Sequence, residues 1–239
     1  VHHLFLHRSL IFYIYIIYII YYLVIYMKFV INLDRASSRM GNFDSSYTRW
    51  SATHWSELQE NHEIFNRMVS MHNINPEEHN CKCGCFISHT RLLQYIVTNK
   101  LNDVLICEDD AIEQSKFDYP AHSLPNFVYL GGFIMNKTMT EGPVYDYIKH
   151  RGLNQLKTDK YRMMCCLSYW IKNWQTAESI LEYINSKKRY RAIDKMISDY
   201  NIEQGTYFIS PALYIESSEY ESQIRKNKIK HANINYEFR

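Results

Sequence analysis

The stretch Val104-Leu105-Ile106-Cys107-Glu108-Asp109-Asp110-Ala111-Ile112 limits what this chain can fold into more than any other. Four apolar residues run directly into three consecutive carboxylates, and apolar residues resume at once. The apolar run is too short for a helical face, and polar Asn102 and Asp103 bound it. It reads as a strand buried on both faces, of the kind found in parallel sheets. Three acids at its carboxyl end repel one another unless positive charge sits among them, because Asp and Glu are rarely buried without a partner. A divalent cation suits hard oxygen ligands. In open α/β sheets, ligands bind beyond the carboxyl ends of the strands. The alternative, on these residues alone, is an acidic loop that stays in water after a core strand.

Length and composition narrow the function classes. The 239 residues suit one α/β domain or two small ones. Charged residues make up 22% and the formal net charge is +2, so nothing points to nucleic acid or an anionic surface as partner. Only 7 glycines are present, and neither GxxxxGK[ST] nor GxGxxG occurs, which argues against a glycine-rich phosphate loop. Cys81, Cys83 and Cys85 alternate, Cys165 and Cys166 are adjacent, and Cys107 lies in the acidic strand. None of this gives a paired CxxC zinc spacing, although Cys81–Cys85 with His79 or His89 offers metal-ligand types. Reduced thiols in a reducing compartment, hence a cytoplasmic location, are the expectation.

The first 26 residues differ in kind. From Leu10 to Tyr26 the chain is uncharged and built of Ile, Tyr, Leu, Phe and Val, after His7 and Arg8. It sits at the short limit for a membrane span. One reading is a membrane anchor through residues 10–26. The other is a translated AT-rich repeat that is no part of the natural protein, with Met27 as the true start; the composition favours this second reading. Membrane association is expected only if residues 1–26 are made. Residues 27–216 are expected to form a single folded domain, and 217–239 a polar, basic tail.

From Met27 onward the elements alternate. Lys28–Leu33 is a buried-type strand that gives way to a polar turn holding Asp34, Arg35 and Arg39. Arginines beside a strand end suit a phosphate group, the bland alternative being a solvated first turn. Residues 47–54 alternate weakly as a second strand, and 57–72 have roughly helical spacing. Residues 73–79, with Pro76, read as a loop, and a helix follows from Phe86 with Ser88, His89 and Arg91 on its first turns. His89 there has the profile of a satisfied core histidine. Residues 127–130 form a short strand closed by two glycines, and 136–160 read as a long surface loop. Residues 162–171 read as one strand, 176–184 and 192–200 as helices, and 207–215 as an edge strand broken by Pro211.

Four segments now stand in order: VINLDRASSRM, GCFISHTRLLQYI, VLICEDDAI, and MMCCLSYWIKNWQTAESIL followed by Ala192-Ile193-Asp194. This order and wording resemble glycosyltransferase family 25, which holds lipooligosaccharide and procollagen-type galactosyltransferases. The opening strand matches at Asn32 to Arg39. The Gly-Cys-x-x-Ser-His signature matches at Gly84, Cys85, Ser88 and His89. The acidic strand matches at Glu108, Asp109 and Asp110. The late motif departs from the family pattern: Thr176 stands where Gly is usual, and no Pro precedes Asp194. The resemblance spans Lys28 to about Glu216.

The resemblance implies an α/β, GT-A-type, Rossmann-like mixed and mostly parallel sheet flanked by helices. It also implies a UDP-sugar donor, a glycan or protein hydroxyl acceptor, and a divalent cation, Mn2+ above others. On that basis Glu108 and Asp110 are the metal residues. Asn32, Asp34, Arg35, Arg39, Ser88, His89 and Asp109 are donor-binding, with His89 promoted from core to site. Inverting transfer needs a carboxylate to take the acceptor's proton. Asp194 is the candidate, against the alternative of a first-turn helix acid; Asp110 acts with it through the metal. The expected activity is transfer of a hexose, galactose or glucose. The competing classes are a nucleotide-sugar-binding relative without catalysis and a membrane-anchored non-enzymatic protein.

Overall fold

The computed structural model describes residues 27–59, 62–69, 75–136 and 151–217. In chain order the strands and α-helices are β1 (Met27–Asn32), β2 (Tyr47–Ser51), α1 (Glu63–Arg67), α2 (Pro76–Thr98), β3 (Val104–Glu108), β4 (Ala111–Glu113), β5 (Phe127–Tyr129) and β6 (Phe133–Asn136). They continue with β7 (Gly152–Gln155), β8 (Tyr161–Met164), β9 (Ser168–Ile171), α3 (Trp174–Asn185), α4 (Ile193–Gln204), β10 (Tyr207–Ser210) and β11 (Tyr214–Glu216). Among the described residues, seven strands form the main sheet in the order β2-β1-β3-β9-β5-β10-β7. β1 runs parallel to β2 and β3, and β10 runs parallel to β5. β9 is antiparallel to both β3 and β5, and β7 is antiparallel to β10. The fold is the expected α/β, Rossmann-like mixed sheet in a single domain; its parallel and antiparallel pairings are equal in number, where a mostly parallel sheet was expected.

Side-chain alternation splits the core into two layers. Phe29 and Ile31 of β1, Val104 and Ile106 of β3, Phe127 and Tyr129 of β5, and Tyr169 and Ile171 of β9 face one way. They meet Phe86, Leu92, Leu93 and Ile96 of α2, Ala177, Ile180 and Ile184 of α3, and Ile193, Met196 and Ile197 of α4. Val30, Leu105, Cys107, Val128 and Trp170 face the other way, against Met40, Phe43, Phe117 and Tyr214. The first four residues of β3 are fully buried because both faces are covered, as its unbroken apolar run requires.

The structure corrects five further expectations. Residues 73 and 74 lie outside the described residues, and the loop expected over residues 73–79 is not found at Pro76. Helix α2 starts there, with Asn75 Oδ1 accepting the Glu78 N–H at 2.7 Å, Pro76 in the first turn, and Glu77 and Glu78 at the positive end of the helix dipole. Residues 57–72 do not form one helix: among the described residues of this stretch only Glu63–Arg67 is α-helical, and Met68 makes a strand bridge to Tyr190. The 136–160 segment is not all loop, since Gly152–Gln155 is an edge strand with alternating exposure; residues 137–150 lie outside the described residues. Residues 162–171 make two strands, parted at Cys165, whose φ of 71° breaks the extended chain. Residues 207–210 are not an edge: β10 lies between β5 and β7, and Pro211 falls just after its last ladder position. The expected lead (1–26) and nearly all of the tail (217–239) lie outside the described residues.

Candidate functional site

β1 ends at Asn32, which is fully buried. Its Nδ2 donates to the Ala36 carbonyl at 2.8 Å and to Asp109 Oδ2 at 2.7 Å, and its Oδ1 accepts from Arg49 Nε at 2.7 Å. Arg39, from the 3-10 segment that follows β1, reaches the other oxygen of Asp109 at 3.0 Å. The Asp109 carboxylate is therefore occupied on both sides and does not face the cavity as an open ligand. Asp34 lies outside this cluster: it is exposed, pairs with Arg49, and accepts from Ser51 Oγ at 3.0 Å, contacts that hold its carboxyl below the ordinary range.

Helix α2 contributes the second wall. Ser88 Oγ donates to the Gly84 carbonyl at 2.7 Å and accepts the Thr53 N–H at 2.8 Å, which ties the loop after β2 to the helix. An added Cβ at Gly84 would lie 2.8 Å from the Thr53 carbonyl oxygen, so a glycine is what permits this approach. One turn on, His89 is fully buried between Tyr169 OH at 2.9 Å on Nδ1 and Glu108 Oε1 at 3.2 Å on Nε2. It is a satisfied core histidine that also lines the cavity of the site. Cys85 Sγ lies 3.9 Å from the same Glu108 oxygen.

Beyond β3 the three acids have different surroundings. Glu108 is held by His89, and Asp109 by Asn32 and Arg39. Asp110 Oδ1 is buried with no hydrogen-bond partner among the described residues. Burial pushes the Asp110 carboxyl well above its ordinary value, and the charges of Glu108, Glu216 and Asp109 add to the push. The chain returns to this point through β11, whose Glu216 pairs with Ala111 across a two-stranded sheet; the Ser217 N–H donates to the Asp110 carbonyl at 2.7 Å. A buried carboxylate oxygen without a donor, among further carboxylates, fits a hard divalent cation.

Asp194 sits in the first turn of α4. Its Oδ1 accepts the Lys195 N–H at 2.8 Å, and its Oδ2 accepts the Cys165 N–H at 3.4 Å. The left-handed turn at Cys165 thus brings a backbone donor to the carboxylate.

These parts surround one cavity of about 350 Å³. Arg39, Ser88, His89, Glu108, Asp109, Asp110 and Asp194 all line it. Asn32 supports it from behind Asp109, whereas Asp34 and Arg35 are not in its wall. Arg35 acts at one remove: burial, then the Arg35 charge, holds the lining His54 below its ordinary value. Sequence reasoning missed His54, Trp55, Lys82, Lys195 and Glu216 as wall residues. Glu216 carries no local signal, because only the β4–β11 pairing brings it to the acidic strand.

Fold and site together define an α/β protein with a carboxylate-bearing ligand cavity at the carboxyl ends of β1 and β3. The family model described as Glycosyltransferase family 25 (LPS biosynthesis protein) matches residues 26–197, and the chain belongs to that family. It is accordingly a glycosyltransferase, acting between a sugar donor and an acceptor. No curated protein matches the chain. No helix among the described residues is long and apolar enough to cross a membrane.

Proposed function

We propose that this chain transfers a hexose, galactose or glucose, from a UDP-sugar to a hydroxyl of a glycan or protein acceptor, with inversion. The family's description favours a lipopolysaccharide glycan as acceptor. The observation that carries the reading is Asp110 Oδ1, a buried carboxylate oxygen without a hydrogen-bond partner among the described residues, crowded by Glu108 and Glu216 in the wall of the cavity that Asp194 also lines. A manganese ion held by Glu108 and Asp110, with Glu216 beside them, would act as Lewis acid on the departing diphosphate.

The chain's own groups supply the rest. Lys82, Lys195 and Arg39 line the cavity and bring positive charge toward a diphosphate. The Arg39–Asp109–Asn32 cluster fixes the loop between β3 and β4, so that Asp110 keeps one position. Asp194, held by the amides of Cys165 and Lys195, accepts the proton of the acceptor hydroxyl as that oxygen attacks the sugar's anomeric carbon. The sugar passes through an oxocarbenium-like transition state, as in glycoside hydrolysis.

Two measurements test this. Manganese with UDP at about a hundred times the dissociation constant should stabilise the fold by about 2.7 kcal/mol, well beyond manganese alone. Asp110→Asn should abolish that synergy and cut transfer by a factor on the order of 10²–10³. It should leave the metal-free melting temperature unchanged or higher, because it replaces a carboxyl whose charge burial penalises. Full transfer by Asp110→Asn, or no synergy between manganese and UDP in the unaltered chain, refutes the reading.

A further inference from the structure

Cys85 and His89 stand four residues apart on α2 and so share one helix face. Both point at the end of β3, and Cys85 Sγ, a ring nitrogen of His89 and a Glu108 oxygen lie within 4.8 Å of one another. We propose that these three side chains form a thiolate-containing site for a soft divalent ion such as zinc, in the wall of the sugar-donor cavity. Competition between this site and manganese rests on the donor-site reading, since both use Glu108; the soft-metal site itself does not.

Three observations support it. The first is the ligand set. One thiolate, one neutral imidazole and one carboxylate balance a doubly charged ion and match the N/S/O chemistry zinc selects. The second is preorganisation. His89 Nε2 and Glu108 Oε1 are 3.2 Å apart, close to the spacing that metal bonds of about 2.0–2.2 Å set at a tetrahedral ion. Cys85 Sγ, at 3.9 Å from that oxygen, needs only a small side-chain movement. The third is the outer contact. Tyr169 OH sits 2.9 Å from His89 Nδ1, and the two rings stack with centroids 5.8 Å apart. A ligating histidine needs such a partner to fix its tautomer.

The protons balance as follows. Because a carboxylate only accepts, the metal-free arrangement has Nε2–H donating to Glu108 and Nδ1 accepting from the Tyr169 hydroxyl, in the tautomer that satisfies both contacts. On binding, the imidazole proton moves to Nδ1 and is donated to the Tyr169 oxygen, which leaves the Nε2 lone pair for the ion. The Cys85 thiol, which burial and Glu108 keep protonated, loses its proton to solvent. Three protein ligands leave a coordination position toward the cavity.

The full chain, reduced and stripped with chelator, is titrated with Co2+ while the near-ultraviolet cobalt–thiolate charge-transfer band is followed. One equivalent of band is expected. Cys85→Ser should remove it, and Cys83→Ser, which alters a core-facing thiol of the same helix, should keep it. Tyr169→Phe should weaken the affinity about 10–100-fold through the lost contact to His89, and Glu108→Gln should weaken it as well. Far-ultraviolet circular dichroism checks that each variant is folded. No band, a band that survives in Cys85→Ser, or affinities unchanged in both Tyr169→Phe and Glu108→Gln overturns the proposal. Asp110→Asn separates the two readings: it should keep the cobalt band while losing the synergy between manganese and UDP.

Discussion

Gly84→Ala sets two opposed effects against each other at the helix that closes the site. Alanine is favoured over glycine in a helix interior by about 1 kcal/mol. Against that, the new Cβ would sit 2.8 Å from the Thr53 carbonyl oxygen and 3.1 Å from the Trp55 amide nitrogen. Both are backbone atoms of a loop that cannot simply retreat. Thr53 is fixed by its N–H to Ser88 Oγ at 2.8 Å and by Arg91 to its hydroxyl at 2.8 Å. Overpacking of this kind costs about 1–3 kcal/mol, so the net effect is a loss of about 1 kcal/mol. For a chain of this size that lowers the melting temperature by about 2–4 °C. Activity should fall further than stability, because Thr53, His54 and Trp55 line the cavity and would be displaced with the loop. The assay is paired thermal melts and transfer rates for Gly84→Ala and Gly41→Ala. Gly41 has nothing within 4 Å of an added Cβ and serves as the control. A Gly84→Ala protein more stable than the parent by the helix-propensity increment, with unchanged turnover, would refute the reasoning.

Three further outcomes follow from the same geometry. Asn32→Asp places an acceptor oxygen where Nδ2 now donates to Asp109 and Ala36; thermal melts should show a loss on the order of 2–3 kcal/mol, with activity falling in parallel. Asp103 has its carboxyl raised by burial, with Lys172 opposing, so the native chain holds that proton more tightly than the unfolded one. The associated stability is full below the ordinary carboxylate value and is lost as pH rises to the raised value. Denaturant melts across acidic pH should therefore show Asp103→Asn gaining on the parent through that window and level above it. Asp194→Asn should lower turnover and leave UDP affinity unchanged; an equal loss of both would move Asp194 from the acceptor side to the donor side.

Much of the central sheet was legible because β3 states its environment locally. Val104 to Cys107 are apolar without a break, and only a strand covered on both faces accounts for that. The helix start at Asn75-Pro76 was not legible: residues 73–79 read as a loop, because a proline reads equally as a break or as a first-turn residue, and only the Asn75–Glu78 cap decides. The segment holding β7 read as loop and β10 read as an edge strand, and both differ for a physical reason. β7 is polar because an edge strand exposes alternate side chains, and β10 carries a proline that falls just beyond its ladder.

The site shows where local reading stops. Its acids are three adjacent letters, yet they have different partners: Glu108 bonds to α2, Asp109 to β1, and Asp110 Oδ1 has no donor among the described residues. Those partners stand 19 and 77 residues away, so no spacing rule could assign them. The Gly-Cys-x-x-Ser-His signature has the same character. Gly84 admits a loop, Ser88 ties that loop down, and His89 reaches the acidic strand, so a run of letters on one helix works through contacts with two other elements. A motif of this kind specifies the position of Glu108 and of the loop at residues 53–55 relative to each other. Substitutions along it should therefore disturb ligand binding before they disturb the fold, since the core below is held independently by Leu92, Leu93 and Ile96.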